Sequence, residues 1–223
     1  MNTKSKKILA GALTACVLLV AFAVEWFIQP GYLIKTIIKV ASFGGVMLLD
    51  SRMTRTRLSE VIQLRKPERM RPLFLSILLF FVGMGILFFI FRSQINWDGI
   101  RQSLVQKEGL TKQNCFFVFA YIIVINSFLE EAFFRGFIPG LFPVKWPGYL
   151  IGAILFSVYH IGIIGSWFNL FVFLVCVIGL VFVALFLQWL SIRHNSIVAD
   201  WLVHAAANLA INVIGTLLIF EVL

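Results

Sequence analysis

Five ionisable side chains stand out in the apolar stretches of this 223-residue chain: Glu130, Glu131, Arg135, His160 and His204. At the centre of a lipid bilayer such groups cost about 2.5–3.5 kcal/mol or more unless paired or hydrated, so each one is a candidate for chemistry. In Asn126-Ser127-Phe128-Leu129-Glu130-Glu131-Ala132-Phe133-Phe134-Arg135, Glu131 and Arg135 are four residues apart, share a helix face and can pair. Glu130 is turned by about 100° around the helix and faces elsewhere, which leaves one carboxylate structural and the other free. The competing reading, a helix end with solvated charges, is opposed by Phe133, Phe134, Phe137 and Ile138, which continue the apolar run. His160 closes Phe156-Ser157-Val158-Tyr159-His160, and taken alone it reads equally as a hydrogen-bonded core histidine. Asp200, His204, Asn208 and Asn212 recur every four residues as one polar stripe on an apolar helix. That stripe faces the bundle interior or water, either for chemistry or for interhelical hydrogen bonds. A carboxylate, two imidazoles and an amide are the ingredients for activating water and holding an oxyanion.

The elements that must position these groups follow from composition. The chain is 61% hydrophobic and 13% charged, with a mean hydropathy of +0.97. Soluble domains have about 45–50% apolar and about 25% charged residues, so an ordinary soluble globule is excluded. Breaks of charge, Pro and Gly divide the chain into seven spans: Ile8 to Ile28, Tyr32 to Leu49, Leu73 to Phe91, Phe116 to Phe137, Gly148 to Ile164, Trp167 to Leu190 and Ser196 to Phe220. The sequence therefore predicts an all-α polytopic membrane helical bundle. It has about seven transmembrane helices, or eight if a re-entrant or extra helix over Ile95 to Gln113 is counted. No repeat or linker divides it, so residues 1–223 read as a single integral membrane domain. Leu13-Thr14-Ala15-Cys16 resembles a lipoprotein cleavage box, but the apolar run continues to Ile28 and reads as an uncleaved helix. Cys16, Cys115 and Cys176 have no paired spacing, so neither a disulfide framework nor a thiolate metal site is expected.

The net charge of +9 does not point to nucleic acid, because the basic residues flank the hydrophobic runs. With the N-terminus in the cytosol, the tail supplies Lys4, Lys6 and Lys7 to that side. The first loop adds Arg52, Arg55, Arg57, Arg65, Lys66, Arg69 and Arg71, and later turns add Lys145 and Arg193. Only Arg92, Arg101, Lys107 and Lys112 fall outside, the bias expected of cytosolic loops. Asp50 to Pro72 reads as a surface-lying cytosolic segment. Trp26, Trp146, Trp167 and Trp189 fall at span ends as interfacial anchors. At a rise of roughly 1.5 Å per residue, Glu130, His160 and His204 lie roughly 10–18 Å from the cytosolic ends of their spans, in one layer.

Glu130-Glu131-x-x-Phe134-Arg135, Phe156-x-x-x-His160 and His204-x-x-x-Asn208, in that order and each in a span, resemble the CPBP family of CAAX proteases and bacteriocin-processing (Abi) enzymes. The resemblance covers about residues 116–223 and implies an intramembrane endopeptidase open to the cytosol. It implies that Glu130 with His160 activates water, that His204 with Asn208 holds the oxyanion, and that Glu131 and Arg135 form a supporting ion pair. Asp200 has no counterpart in the motif and could orient His204 through a carboxylate contact.

No cofactor is favoured. Zinc on Glu130, His160 and His204 is the alternative, although the chain has no HExxH motif and these residues come from three separate helices. The expected partners are a peptide or protein substrate, lipid-anchored or cytosol-facing, and membrane lipids, with the oligomeric state open. Small size, short loops and a Lys-rich start suggest a bacterial cytoplasmic membrane. For a bacterial chain, the resemblance to the CPBP family implies bacteriocin or signal-peptide processing or self-immunity. Two other classes compete: a non-catalytic membrane scaffold or immunity protein, and a small transporter, which an odd span number without internal repeat disfavours.

Overall fold

The computed structural model describes residues 2–67, 71–164 and 168–222. Within them the long elements are α1 (Thr3–Ile28), α2 (Tyr32–Thr54), the short α3 (Leu58–Val61), α4 (Arg71–Phe91) and α5 (Trp97–Gln102). They are followed by α6 (Cys115–Gly140), α7 (Lys145–Ile164), α8 (Leu170–His194) and α9 (Ile197–Ile219). Among the described residues six helices, α1, α2, α4, α6, α8 and α9, are long and apolar enough to cross a membrane by length and composition. The remaining predicted span, Gly148 to Ile164, lies within the 20-residue helix α7. The bundle is all-α, as the sequence predicts. Trp167, read as an interfacial anchor, and Arg69 of the basic loop lie outside the described residues, while Trp26, Trp146 and Trp189 are exposed at 41%, 64% and 52%.

Helix starts follow local chemistry. Asn169 caps α8 by accepting from the Val172 N–H at 2.9 Å, and Ser196 caps α9 by accepting from the Val198 N–H at 3.1 Å. Asn195 between them takes a left-handed backbone at φ 48° that turns the chain sharply. α6 lies centrally, against α2, α7 and α9, while α4 and α8 flank α9 and α1 flanks α2 and α7.

The core directly beside the ionisable layer is aromatic. Phe43 of α2 stacks on Phe133 of α6 with centroids 4.0 Å apart, and Phe134 meets Phe156 of α7 edge to face at 5.5 Å. Two glycines let the backbones approach this closely. A Cβ at Gly152 of α7 would lie 2.6 Å from the Phe134 carbonyl oxygen, and one at Gly136 of α6 would lie 2.5 Å from the Ile62 carbonyl oxygen.

The Gly136 contact corrects the reading of Asp50 to Pro72 as a surface-lying segment. Its described part turns inward after α2. Ile62 is buried, the Gln63 amide donates to the Gly136 carbonyl at 3.3 Å, and the Gln63 carbonyl accepts from the Ile197 N–H at 3.2 Å. The Ser196 hydroxyl also donates to the Arg65 carbonyl. Backbone groups at the ends of α6 and α9 recruit the loop as a wedge, while Arg55, Arg57, Arg65 and Lys66 stay exposed. At the opposite end Ile95 to Gln113 does contain a short helix, α5. Lys35 bridges Glu108 of this segment at 2.7 Å and Glu25 of α1 at 2.9 Å.

Candidate active site

α6 positions the carboxylates through an irregular backbone. An α-helical turn, Ser127–Glu131, sits between two wider π-type stretches, Ile122–Asn126 and Ala132–Phe137. Such insertions cluster at functional sites. The first wide turn has carbonyls that accept side-chain donors: Trp201 Nε1 donates to Val124 O at 2.9 Å and Asn208 Nδ2 to Ile122 O at 3.4 Å. The polar stripe of α9 thus faces the bundle interior, where it meets α6.

The structure brings together Glu130, Glu131, Arg135, His160 and His204. All three α6 residues are at most 1% exposed. Glu130 Oε2 lies 3.8 Å from Nε2 of both His160 and His204. His204 Nδ1 sits 2.6 Å from Glu131 Oε1, and Arg135 Nε sits 3.2 Å from Glu131 Oε2. The Arg135 guanidinium lies over the Phe156 ring at 4.0 Å from its centroid, a cation–π contact that helps seat a buried charge.

Hydrogen-bond chemistry assigns the ring protons. His160 Nδ1 is 2.8 Å from the Phe156 carbonyl, and His204 Nδ1 faces a carboxylate. Both partners only accept, so each neutral ring carries its hydrogen on Nδ1 and turns the Nε2 lone pair toward Glu130. Three acceptors therefore converge, and Glu130 Oε2 makes no hydrogen bond within the protein. What belongs between them is a donor, and water supplies two protons.

Two residues are placed differently from their sequence reading. The carboxylate that orients His204 is Glu131, not Asp200: the buried Asp200 lies against Glu131 instead. Asp200 sits one turn before His204 on α9, and that offset directs it past the imidazole to the Glu131 carboxyl group. Asn208 is drawn to the Ile122 carbonyl rather than to the Glu130 layer.

The sequence reading missed Lys39. Its Nζ lies 2.9 Å from Glu130 Oε1 and 2.8 Å from Asn126 Oδ1, while Asn126 Nδ2 donates to the same Glu130 oxygen at 3.0 Å. A lysine within the Tyr32 to Leu49 span was the available signal, since the cost that singles out Glu130 applies equally to it.

Zinc needs its ligand atoms within about 2.0–2.2 Å of one point. Among the described residues no cluster of three or more His, Cys, Asp or Glu is arranged to hold a metal ion. Lys39 also already balances the charge of Glu130.

Residues 112–210 match the family model described as type II CAAX prenyl endopeptidase Rce1-like. This stretch, a little under half of the chain, is similar to that family. It contains Glu130, Glu131, Arg135, His160, His204 and Asn208, the residues through which the sequence resembles CAAX proteases, while Lys39 falls outside it. No curated protein and no solved structure matches the chain. In the Rce1-like stretch the buried Glu131–Arg135 pair supports His204 from behind, and Glu130 presents one unpartnered oxygen to both imidazoles.

Proposed function

We propose that this chain is an intramembrane endopeptidase that hydrolyses a peptide bond with a glutamate-activated water. The observation that carries this reading is the buried Glu130 Oε2, unpartnered and equidistant from two imidazole nitrogens. A water oxygen at a hydrogen-bond distance of about 2.8 Å from all three atoms is sterically compatible with their spacing. In the reaction Glu130 Oε2 takes one proton from that water as its oxygen attacks the scissile carbonyl carbon. The same proton then passes to the departing amine. His160 holds the water by its lone pair. Asn208 Nδ2, by exchanging its long bond to Ile122, donates to the oxyanion, a role worth about 2.7–4 kcal/mol per donor. The water's second proton, left on the new carboxyl group, passes to His204 Nε2, whose Nδ1–H stays on Glu131.

The substrate class is a peptide or protein precursor held at the membrane, in keeping with the family's description as prenyl endopeptidases. A groove of about 1030 Å³ runs between α1 and α7, from Lys4 at one end of α1 past Leu18 and Leu155 to Tyr159 beside His160. It gives an apolar tail a lateral approach to the site. Bacteriocin or signal-peptide processing is one use of such an activity.

The test compares purified wild type and Glu130→Gln in liposomes on a quenched peptide ending in a prenylated CAAX box. A parallel comparison takes the membrane-peptide profiles of cells carrying each form. Loss of cleavage and accumulation of precursors in the folded variant are expected; an unchanged peptide profile refutes proteolysis. Activity that survives in Glu130→Gln refutes the assignment of the base. Stoichiometric metal, with activity abolished by chelation, would overturn the metal-free mechanism.

A further inference from the structure

We propose that Lys39 is a positioning residue for the general base: with Asn126 it locks one oxygen of Glu130 so that the other is aimed at the two imidazoles. The inference rests on the proteolytic reading above and concerns a residue of α2, outside the family-matched stretch.

Lys39, Asn126 and Glu130 form a closed ring of three contacts. Lys39 Nζ donates to Glu130 Oε1 at 2.9 Å and to Asn126 Oδ1 at 2.8 Å, and Asn126 Nδ2 donates to Glu130 Oε1 at 3.0 Å. The ring also fixes the Asn126 amide, whose oxygen must face the ammonium and whose nitrogen must face the carboxylate. On its remaining side the ammonium lies over the Tyr159 ring, 4.7 Å from the centroid. Glu130 Oε1 thus has two donors and Oε2 none. The carboxylate plane cannot rotate without breaking both bonds, so Oε2 keeps its position 3.8 Å from each Nε2.

A buried ion pair adds little net stability compared with a well-packed apolar pair, so its consequence here lies in geometry and charge. Lys39 supplies the counter-charge of the carboxylate and holds it in one orientation, as a base requires. α2 reaches this point without distortion because Lys39 ends an α-helical stretch, and the following wide turn Val40–Gly44 swings Phe43 into the aromatic core. Tyr159, one residue before His160, ties the same ammonium to α7. One lysine therefore sets the mutual placement of α2, α6 and α7 around the reacting atoms.

The contact and the role are tested separately with the full chain. In detergent, Lys39→Met leaves a buried carboxylate without its cation and lowers the unfolding temperature by several degrees. Adding Glu130→Gln to it restores most of that loss, and simple additivity of the two changes would overturn the contact. On the quenched prenylated peptide, Lys39→Met lowers kcat about 100-fold, in the range of a general-base contribution, with KM within about twofold. Lys39→Arg keeps the charge but not the compact three-donor head, and recovers at least about tenfold of the loss. A merely structural lysine would instead change the active fraction, and Lys39→Arg would then follow folded yield alone. Lys39→Met with kcat within about threefold of wild type overturns the proposal. If wild type does not cut the probe, accumulation of the precursors identified in Glu130→Gln cells replaces it as the activity measure. Inactive Glu130→Gln beside active Lys39→Met sinks only the role of Lys39, whereas active Glu130→Gln sinks the protease reading first.

Discussion

At the scale of single residues, the site has two carboxylates with different tasks, and adjacency in sequence is what separates them. Glu130 turns one free oxygen to the imidazoles, whereas Glu131 is consumed by His204 and Arg135. Glu131→Gln replaces a charge-assisted partner of His204 by an amide, and such supporting partners typically matter about 10–100-fold in activity. We expect cleavage to fall by that factor with helix content unchanged in circular dichroism. Arg135→Met leaves Glu131 buried without its guanidinium. Removing one partner of a buried pair costs about 3–5 kcal/mol, read as a lowered unfolding temperature in detergent. The two variants should differ in kind, one catalytic and one mainly structural. The sequence made Glu130, Glu131, Arg135, His160 and His204 legible because each is an ionisable group inside an apolar run. Lys39 carries the same signature but pairs with a residue 91 positions away, a separation that no local spacing reveals. The resemblance implies Asn208 at the oxyanion, and its place one turn away suggests Asp200 as the partner of His204. A shared face fixes direction toward α6, but not which α6 group each one meets.

At the scale of elements, the spans, their order and the inward face of α9 follow from apolar length and four-residue spacing. The wide turns in α6 do not, because hydrophobic periodicity averages over one extra residue. They matter for positioning: α9 docks its Trp201 and Asn208 donors on the first of them. The α6–α7 contact is equally specific. Gly152 faces the Phe134 carbonyl, and His160 stands eight residues further along α7. A methyl group there has no room, since its neighbour is backbone 2.6 Å away. Gly152→Ala must push α7 from α6, a type of overpacking that costs about 1–3 kcal/mol. We expect a lower unfolding temperature together with lost cleavage, because separation of the helices carries His160 away from Glu130. Full activity in Gly152→Ala would mean that the spacing of α6 and α7 is not what places the imidazole.

At the scale of the whole molecule, the two ends of the bundle are chemically distinct, and each is tied by its own long-range contacts. One end gathers Lys7 on Asp50 at 3.2 Å, the loop wedge on Gly136 and Ile197, and the turn between α8 and α9. The other gathers Lys35 with Glu25 and Glu108, Arg101 with Glu221, and the Tyr32 N–H on the Glu108 carbonyl at 3.2 Å. The first end carries the larger share of exposed Lys and Arg, and positive loops are retained in the cytosol. Glu130 lies ten residues from the Gly140 end of α6, roughly 15 Å at 1.5 Å per residue, so the site would be reached from that side or laterally. In a chain with Cys16, Cys115 and Cys176 replaced by serine, single cysteines at the exposed Lys66 and Lys112 positions report the two ends. An impermeant thiol reagent applied to intact cells should label position 112 at once and position 66 only after the membrane is opened. The reverse pattern would place the basic end outside and turn the approach to Glu130 away from the cytosol, excluding cytosolic precursors as substrates.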